Sequence, residues 1–397
     1  MSLLDRLKAQ IAQDGPISVA EYFTRCLHDP RDGYYATRPA LAGMNGGEGG
    51  DFLTAPGVSQ MFGELIGLWI LETWTRMGRP SSVRLVEMGP GDGTLISDIL
   101  RAARLLPEFL DAADLWLVEV SSPLRAAQAD RLQGAPLTPR WADRLEAVPA
   151  GAPLILVANE VLDCLPARQF VRTEGGWAER VVGLNEIGEL AFGLKALAPL
   201  PLDGGGAWGG GVHGGGPRTD LATSGSSFTP IPAPSPIKGE ESHQRGAVVE
   251  SSPAQAALGS EIGHRVARDG GAALLIDYGR DAPGPGDTLQ ALKAHTKVSP
   301  LAEPGQADLT VWADFPAVLT AAAEAGAATG PILTQGAFLQ GLGIEARAEA
   351  LAAARPDQAD KLARQLDRLT GPAQMGRLFK VVCLSAPGLS PPLFEDA

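Results

Sequence analysis

Between Leu85 and Thr94 the chain reads L-V-E-M-G-P-G-D-G-T. A short apolar strand pattern runs into glycines at every second position, and a helical pattern follows. Few folds accept that succession: an open α/β sheet begins a ligand pocket in this way, at the carboxyl end of a strand. The surrounding sequence keeps to the same alternation. Strand patterns cover Val83–Met88, Leu115–Val120, Leu154–Asn159 and Ala272–Asp277, and helical patterns cover Thr94–Leu105, a segment from Pro123, and Gln255–Arg268. Such alternation specifies a mostly parallel sheet with helices on both faces.

Outside these units, Met61, Phe62, Leu65, Ile66, Trp69 and Ile70 recur at helical spacing and predict a core-facing helix over Val58–Met77. Ala317–Ala325, Gln335–Leu342 and Ala346–Leu369 read as alanine-rich helices that join the N-terminal helices in a cap. The V-V-C-L-S run after Phe379 reads as a strand returning to the sheet. The chain therefore divides into an N-terminal helical segment (1–80), a first part of the sheet core (81–202), an insertion (203–246), a second part of the core (247–300), a helical substrate or cap region (301–374) and a C-terminal strand and tail (375–397). The insertion contains D-G-G-G-A-W-G-G-G-V-H-G-G-G-P and then a Ser/Pro-rich run. So much glycine leaves too little side chain to offset the ordering entropy, and the segment is expected to be disordered. Trp208 and His213 inside it give no ligand signal.

The 397 residues carry a formal net charge of −13, which disfavours nucleic acid and anionic membranes and favours basic peptides or cationic small molecules. Three cysteines, far apart in sequence, form no metal or disulfide spacing. No apolar run approaches the roughly 20 residues of a membrane span, and the start reads as an amphipathic helix. These features lead to the expectation of a cytoplasmic protein.

The glycine loop, Gly89, Gly91 and Gly93, is G-x-G-x-G rather than the G-x-G-x-x-G of dinucleotide folds. It carries Glu87 and Asp92, and the next strand ends in Glu119, placed to accept ribose hydroxyls. A pyrophosphate within a few ångströms of Asp92 would meet a repulsion of about 4 kcal/mol at an effective dielectric near 20. A cationic adenosine cofactor meets attraction there, so S-adenosylmethionine is the expected ligand. A capped glycine turn without a ligand is the bland alternative.

Further motifs accompany the loop: G-P-I-S-V-A-E-Y-F at Gly15–Phe23, D-G-Y-Y at Asp32–Tyr35, G-D-F-L-T-A-P at Gly50–Pro56 and S-Q-M-F-G-E-L at Ser59–Leu65. L-V-E-V-S at Leu117–Ser121, N-E-V-L-D-C-L-P at Asn159–Pro166, I-D-Y-G at Ile276–Gly279, T-Q-G-A-F-L at Thr334–Leu339 and M-G-R-L-F-K-V at Met375–Val381 follow. Together they resemble the MidA family of class I methyltransferases, which includes a mitochondrial complex I assembly factor. The resemblance implies a Rossmann-like class I methyltransferase sheet with helices on both faces and a mostly helical cap. It also implies protein arginine methylation of a NuoD-type subunit of respiratory complex I, with Glu87, Gly89, Gly91 and Gly93 at the methyl donor. The chain departs from the family pattern at Gly57, where a glutamate is usual, and in the insertion.

Arginine methylation needs a carboxylate to fix the guanidinium beside the donor. Asn159, Glu160 and Asp163 follow a strand directly at the right edge of the sheet; capping of a following helix is their alternative role. Asp277 is a candidate second guanidinium partner and Tyr278 a candidate stacking wall, with loop packing as the alternative for both. His295 is a candidate proton acceptor or a surface histidine, and Met375 and Phe379 are core candidates. The competing functions are a non-catalytic assembly chaperone that keeps the fold and a nicotinamide-dependent oxidoreductase. A homodimer is left open. Deleting Gly204 to Arg245 and joining the ends with a short linker is expected to leave melting temperature and donor affinity nearly unchanged, since each doubling of loop length adds only about 0.6 kcal/mol. Unfolding on deletion would make the segment structural.

Overall fold

A computed structural model describes residues 1–37, 54–197, 229–230, 245–294 and 296–395. The expected insertion lies outside them except for Thr229–Pro230 and 245–246, as do Trp208, His213, His295 and Gly50–Leu53 of the G-D-F-L motif. The chain forms two compact units, which cut across the linear division expected from the sequence.

The larger unit holds Phe23–Ala167, Ser251–Pro283 and Thr288–Ala397. Its sheet is built on six strands, labelled in chain order: β1 (Val83–Met88), β2 (Ala113–Val118), β3 (Arg140–Ala142), β4 (Leu154–Asn159), β5 (Gly271–Arg280) and β6 (Phe379–Ser385). Their spatial order is β3-β2-β1-β4-β5-β6, parallel throughout except for β6, which runs antiparallel along β5. Strand order reverses between β1 and β4, so the carboxyl ends of these neighbours open a crevice, the usual ligand position in such sheets.

Alternate residues of each strand enter two separate cores. Leu85, Leu115, Leu117, Ile155, Val157, Leu274 and Val381 face one; Val86, Val118, Leu154, Leu156, Leu275 and Val382 face the other. Burial on both faces is why these strands read as nearly continuous apolar runs. The first core is covered by α1 (Gln60–Arg76) and α2 (Thr94–Ala103), the second by α4 (Pro253–Asp269) and α5 (Phe315–Glu324). The helix α3 (Ser122–Arg131) follows β2.

The expected helix Val58–Met77 begins only at Gln60, because Ser59 accepts the Met61 N–H and caps it. The expected strand Leu115–Val120 starts two residues earlier and ends at Val118, leaving Glu119 beyond it. Ala346–Leu369 divides into Ile344–Ala354 and Ala359–Thr370, with Pro356 in the break. The C-terminal strand does return to the sheet as β6.

The smaller unit holds Met1–Tyr22, Arg168–Glu250 and Gly284–Asp287. Its core is an antiparallel sheet of Arg168–Thr173, Gly176–Leu184 and Leu190–Ala196, assigned from the sequence to the main core. Charged residues inside the strands masked their pattern. Arg180, 3 % exposed, pairs with Asp287 at 2.9 Å, and Arg168 pairs with Glu179. The helix Leu3–Asp14, expected in the cap, belongs to this unit and opens with a capping box of Ser2 and Asp5.

In the larger unit α4 meets α5 through glycines. A Cβ at Gly259 would lie 2.5 Å from the Val318 carbonyl oxygen, and one at Gly263 would lie 2.7 Å from that of Ala322. Gly259→Val is therefore expected to cost about 1–3 kcal/mol by overpacking and to lower the melting temperature by several degrees. An unchanged melting curve would show that the helices separate freely.

Candidate active site

The turn after β1 is possible because three glycines take positive φ: Gly89 at 62°, Gly91 at 54° and Gly93 at 82°. At Gly89 a Cβ would also press on Val161 at 2.9 Å. Gly93 is the N-cap of α2 and offers no side chain there. Asp92 instead accepts the Thr94 N–H at 3.0 Å and its hydroxyl at 2.6 Å, and pairs with Arg131 at 2.7 Å. Its charge is therefore partly balanced. The carboxyl without a counter-charge is Glu87, 2 % exposed, whose buried Oε2 has no hydrogen-bond partner among the described residues. Burial, and secondarily Asp92, pushes the Glu87 pKa up to about 8.

Glu119, beyond β2, is 8 % exposed; its Oε1 accepts the Ser121 N–H at 2.7 Å and its Oε2 the Gln128 amide at a long 3.4 Å. Burial raises its pKa against these donors. The weakly held Oε2 keeps capacity for a further donor.

At the end of β4, Asn159 and Glu160 stand next to this loop in the sheet order. No helix follows them; a turn runs to Leu165, so helix capping is not their role. Glu160 sits at φ 55°, rare for a residue with a side chain and the kind of strain found at functional sites. Its N–H donates to the Ile276 carbonyl at 2.8 Å. Its Oε1 accepts the Asn159 amide at 3.0 Å and the Ala55 N–H at 3.4 Å. Asn159 Oδ1 is buried and has no hydrogen-bond partner among the described residues. Burial and then the neighbouring Asp163 push the Glu160 pKa up to about 8.

Asp163, buried, meets the Cys164 thiol at 3.2 Å, and burial raises its pKa. Asp277 departs from its expected role as a guanidinium partner. It has no exposure, and its oxygens accept the N–H groups of Leu162 at 2.9 Å, Asp163 at 3.1 Å and Tyr278 at 2.8 Å. It closes the turn instead. Tyr278 is likewise corrected from stacking wall to core: the residue is buried, and its ring packs edge-on against Phe379 with centroids 5.4 Å apart. Phe379 and Met375 are buried.

Tyr35 was not singled out for a role by sequence reasoning. Its hydroxyl lies 2.9 Å from Cys164 Sγ and donates to Asp308 Oδ1 at 3.3 Å, and its ring stacks on His28. The D-G-Y-Y motif was its one signal. Gln128 was missed altogether, in a helix that reads as a polar surface.

These features fit an adenosine ligand with a cationic centre: a glycine turn open to backbone approach, an orphaned buried carboxylate oxygen on β1 and an acid after β2. Comparison with known proteins decides the matter. Residues 65–332 match the model of an S-adenosyl-L-methionine-dependent methyltransferase family. The chain belongs to that family. It is 34% identical to the zebrafish (Danio rerio) mitochondrial protein arginine methyltransferase NDUFAF7, over 96% of this chain and 86% of that protein. The human counterpart is 33% identical, over 96% and 83% of the two chains. A likely methyltransferase from Burkholderia thailandensis bound to S-adenosyl-homocysteine superposes with a TM-score of 0.74 at 25% identity, over 96% of this chain and 91% of that one.

The protein is thus a methyltransferase of the MidA type, with a Rossmann-like α/β fold and S-adenosylmethionine as cofactor. The oxidoreductase alternative falls. The cytoplasmic expectation is corrected, because the curated relatives are named mitochondrial. Among the described residues no helix is long and apolar enough to cross a membrane, but that observation does not distinguish compartments.

The raised pKa of Glu87 has two opposite consequences. A folded-state pKa above the ordinary 4.5 gives stability that is complete below pH 4.5 and lost as pH rises toward about 8. A cationic donor is attracted only by the ionised form, so its affinity gains over the same window. Measured from about pH 6 to about pH 9, S-adenosylmethionine affinity is expected to rise more steeply for wild type than for Glu87→Gln. Parallel curves would remove Glu87 from the donor's electrostatics.

Proposed function

We propose that this methyltransferase methylates arginine on a protein, and that the protein is a NuoD-type subunit of respiratory complex I during its assembly. Glu160 carries the reading. A guanidinium has a pKa above about 12 and delocalised lone pairs, so one nitrogen must be fixed in line with the methyl group. A carboxylate does this through charge-assisted hydrogen bonds that concentrate positive charge on the other nitrogens. Glu160 Oε1 is anchored by Asn159 and Ala55, while Oε2 has no hydrogen-bond partner among the described residues. Bound S-adenosylmethionine supplies the methyl group on a cationic sulfur.

An arriving guanidinium supplies the positive charge that favours ionised Glu160, and Asp163 adds to the attraction. The nitrogen that becomes methylated releases one proton, which Glu160 takes in this reading. The relatives' name supports arginine, the family resemblance supports the complex I subunit, and the net charge of −13 favours a basic segment as substrate.

Glu160→Gln keeps the shape and one acceptor but loses the charge. Truncating a buried charge pair costs about 2–5 kcal/mol, so methyl transfer is expected to fall by roughly one and a half to three and a half decades with donor affinity hardly changed. Mass spectrometry of the NuoD-type subunit, incubated with wild type or with Glu160→Gln, reads the effect. Wild-type turnover by the variant removes Glu160 from catalysis, and an unmodified subunit with the wild-type enzyme rejects the substrate.

A further inference from the structure

Three side chains of α3, spaced three residues apart and so sharing a face, reach back to the candidate donor site. Arg125 Nε donates to the Glu119 carbonyl oxygen at 2.7 Å. Arg131 Nε donates to the Asp92 carbonyl oxygen at 2.9 Å, in addition to its ion pair with the Asp92 carboxylate. Gln128 lies between them with no exposure. Its Nε2 donates to the Gly91 carbonyl oxygen at 2.7 Å and toward Glu119 Oε2 at 3.4 Å, so one amide spans both halves of the site. Its Oε1 accepts the Trp141 indole N–H at 2.8 Å. Because an indole nitrogen only donates, this bond fixes which end of the amide is the acceptor and leaves the NH2 facing the loop.

We propose that Gln128 is a positioning residue for the methyl donor: its buried amide sets the glycine loop and Glu119 in register, with Trp141 fixing the amide's orientation. A loop with three positive-φ glycines has many conformations when unrestrained. Ordering it at the moment of binding would weaken affinity, whereas a loop already held by Gln128 avoids that cost. A Cβ added at Gly93 would lie 3.5 Å from Gln128, so the loop runs close beside the helix at this point. The inference rests on placing the donor at Glu87–Gly93 and Glu119.

The test compares Q128E, W141F and G91V by calorimetry with S-adenosylhomocysteine, thermal melting and donor kinetics. Q128E retains the shape and the bond from Trp141 but replaces the NH2 donor with an oxygen facing Glu119. Its Kd is expected to rise roughly ten- to a hundred-fold, with donor KM following and kcat at saturating donor within about threefold. W141F touches no group assigned to the donor and is expected to weaken binding by a few-fold through loss of amide orientation. A lower melting temperature with wild-type Kd in both variants makes Gln128 merely structural and overturns the proposal. Where Q128E does not fold, W141F decides by the same readout, and wild-type Kd again overturns it. Loss of binding in G91V beside wild-type Kd in the other two rejects the positioning role and keeps the donor site. Wild-type binding in folded G91V rejects the donor placement, and the positioning role with it.

Discussion

A carboxylate with no solvent exposure holds the far side of the candidate active site together. Asp277, in β5 one residue past its ladder with β4, accepts backbone N–H groups from Leu162, Asp163 and Tyr278. Those three bonds replace hydration for a side chain that burial would otherwise leave costly, and they determine where the segment after β4 can go. Glu160 enters that turn at positive φ, anchored to the same strand through Ile276. The β4–β5 ladder ends at Asn159 and Ile276, and beyond it Asp277 holds the turn together with the Gln255 amide on the Leu162 carbonyl and the Val311 N–H on the Asp163 carbonyl. The acid that the sequence suggested as a substrate contact is thus the one that makes the neighbouring acid available.

The electrostatics of the crevice follow from how few of its acids have cationic partners. Asp92 has Arg131, whereas among the described residues Glu87 and Glu160 have hydrogen-bond donors but no ion pair, and both are shifted far above the ordinary carboxylate range. Such groups lower the stability of the folded chain near neutral pH and offer it instead as attraction for positive charge. The sulfonium of the methyl donor brings that charge, as would a guanidinium acceptor in the proposed reaction. The positive φ at Glu160 breaks a local rule in the same crevice, as strained residues often do near functional sites.

The fold was legible where physics is local. Val83–Met88 and Leu154–Asn159 are found as strands with the expected limits, because apolar runs buried on two faces and bounded by turn residues have few other uses. The glycine loop was legible for the same reason. Glu119 was recognised as an acid at a strand end, although periodicity could not show that the strand stops one residue before it. What escaped depends on distant partners. Tyr35 acquires its role from Asp308, 273 residues away in sequence, and Gln128 lies in a run, S-P-L-R-A-A-Q-A-D-R, too polar to suggest a buried face. The smaller sheet escaped because its strands bury Arg180 and Glu179 as ion pairs, which period-two patterning counts as solvent-facing.

The place of β5 in the chain has a consequence for biosynthesis. β1, β2 and β3 are contiguous in sequence, and the donor loop's supports on α3 are complete soon after Arg131 has emerged. Leu162 must wait for Asp277, which follows 115 residues later, after most of the smaller unit. At roughly 5–20 residues per second of synthesis, that interval is on the order of ten seconds. During it, the loop after β1 already has its contacts from α3, while the segment bearing Glu160 lacks the carboxylate that accepts its N–H groups. The order of translation thus leaves that turn without its buried carboxylate until about seven tenths of the chain exists.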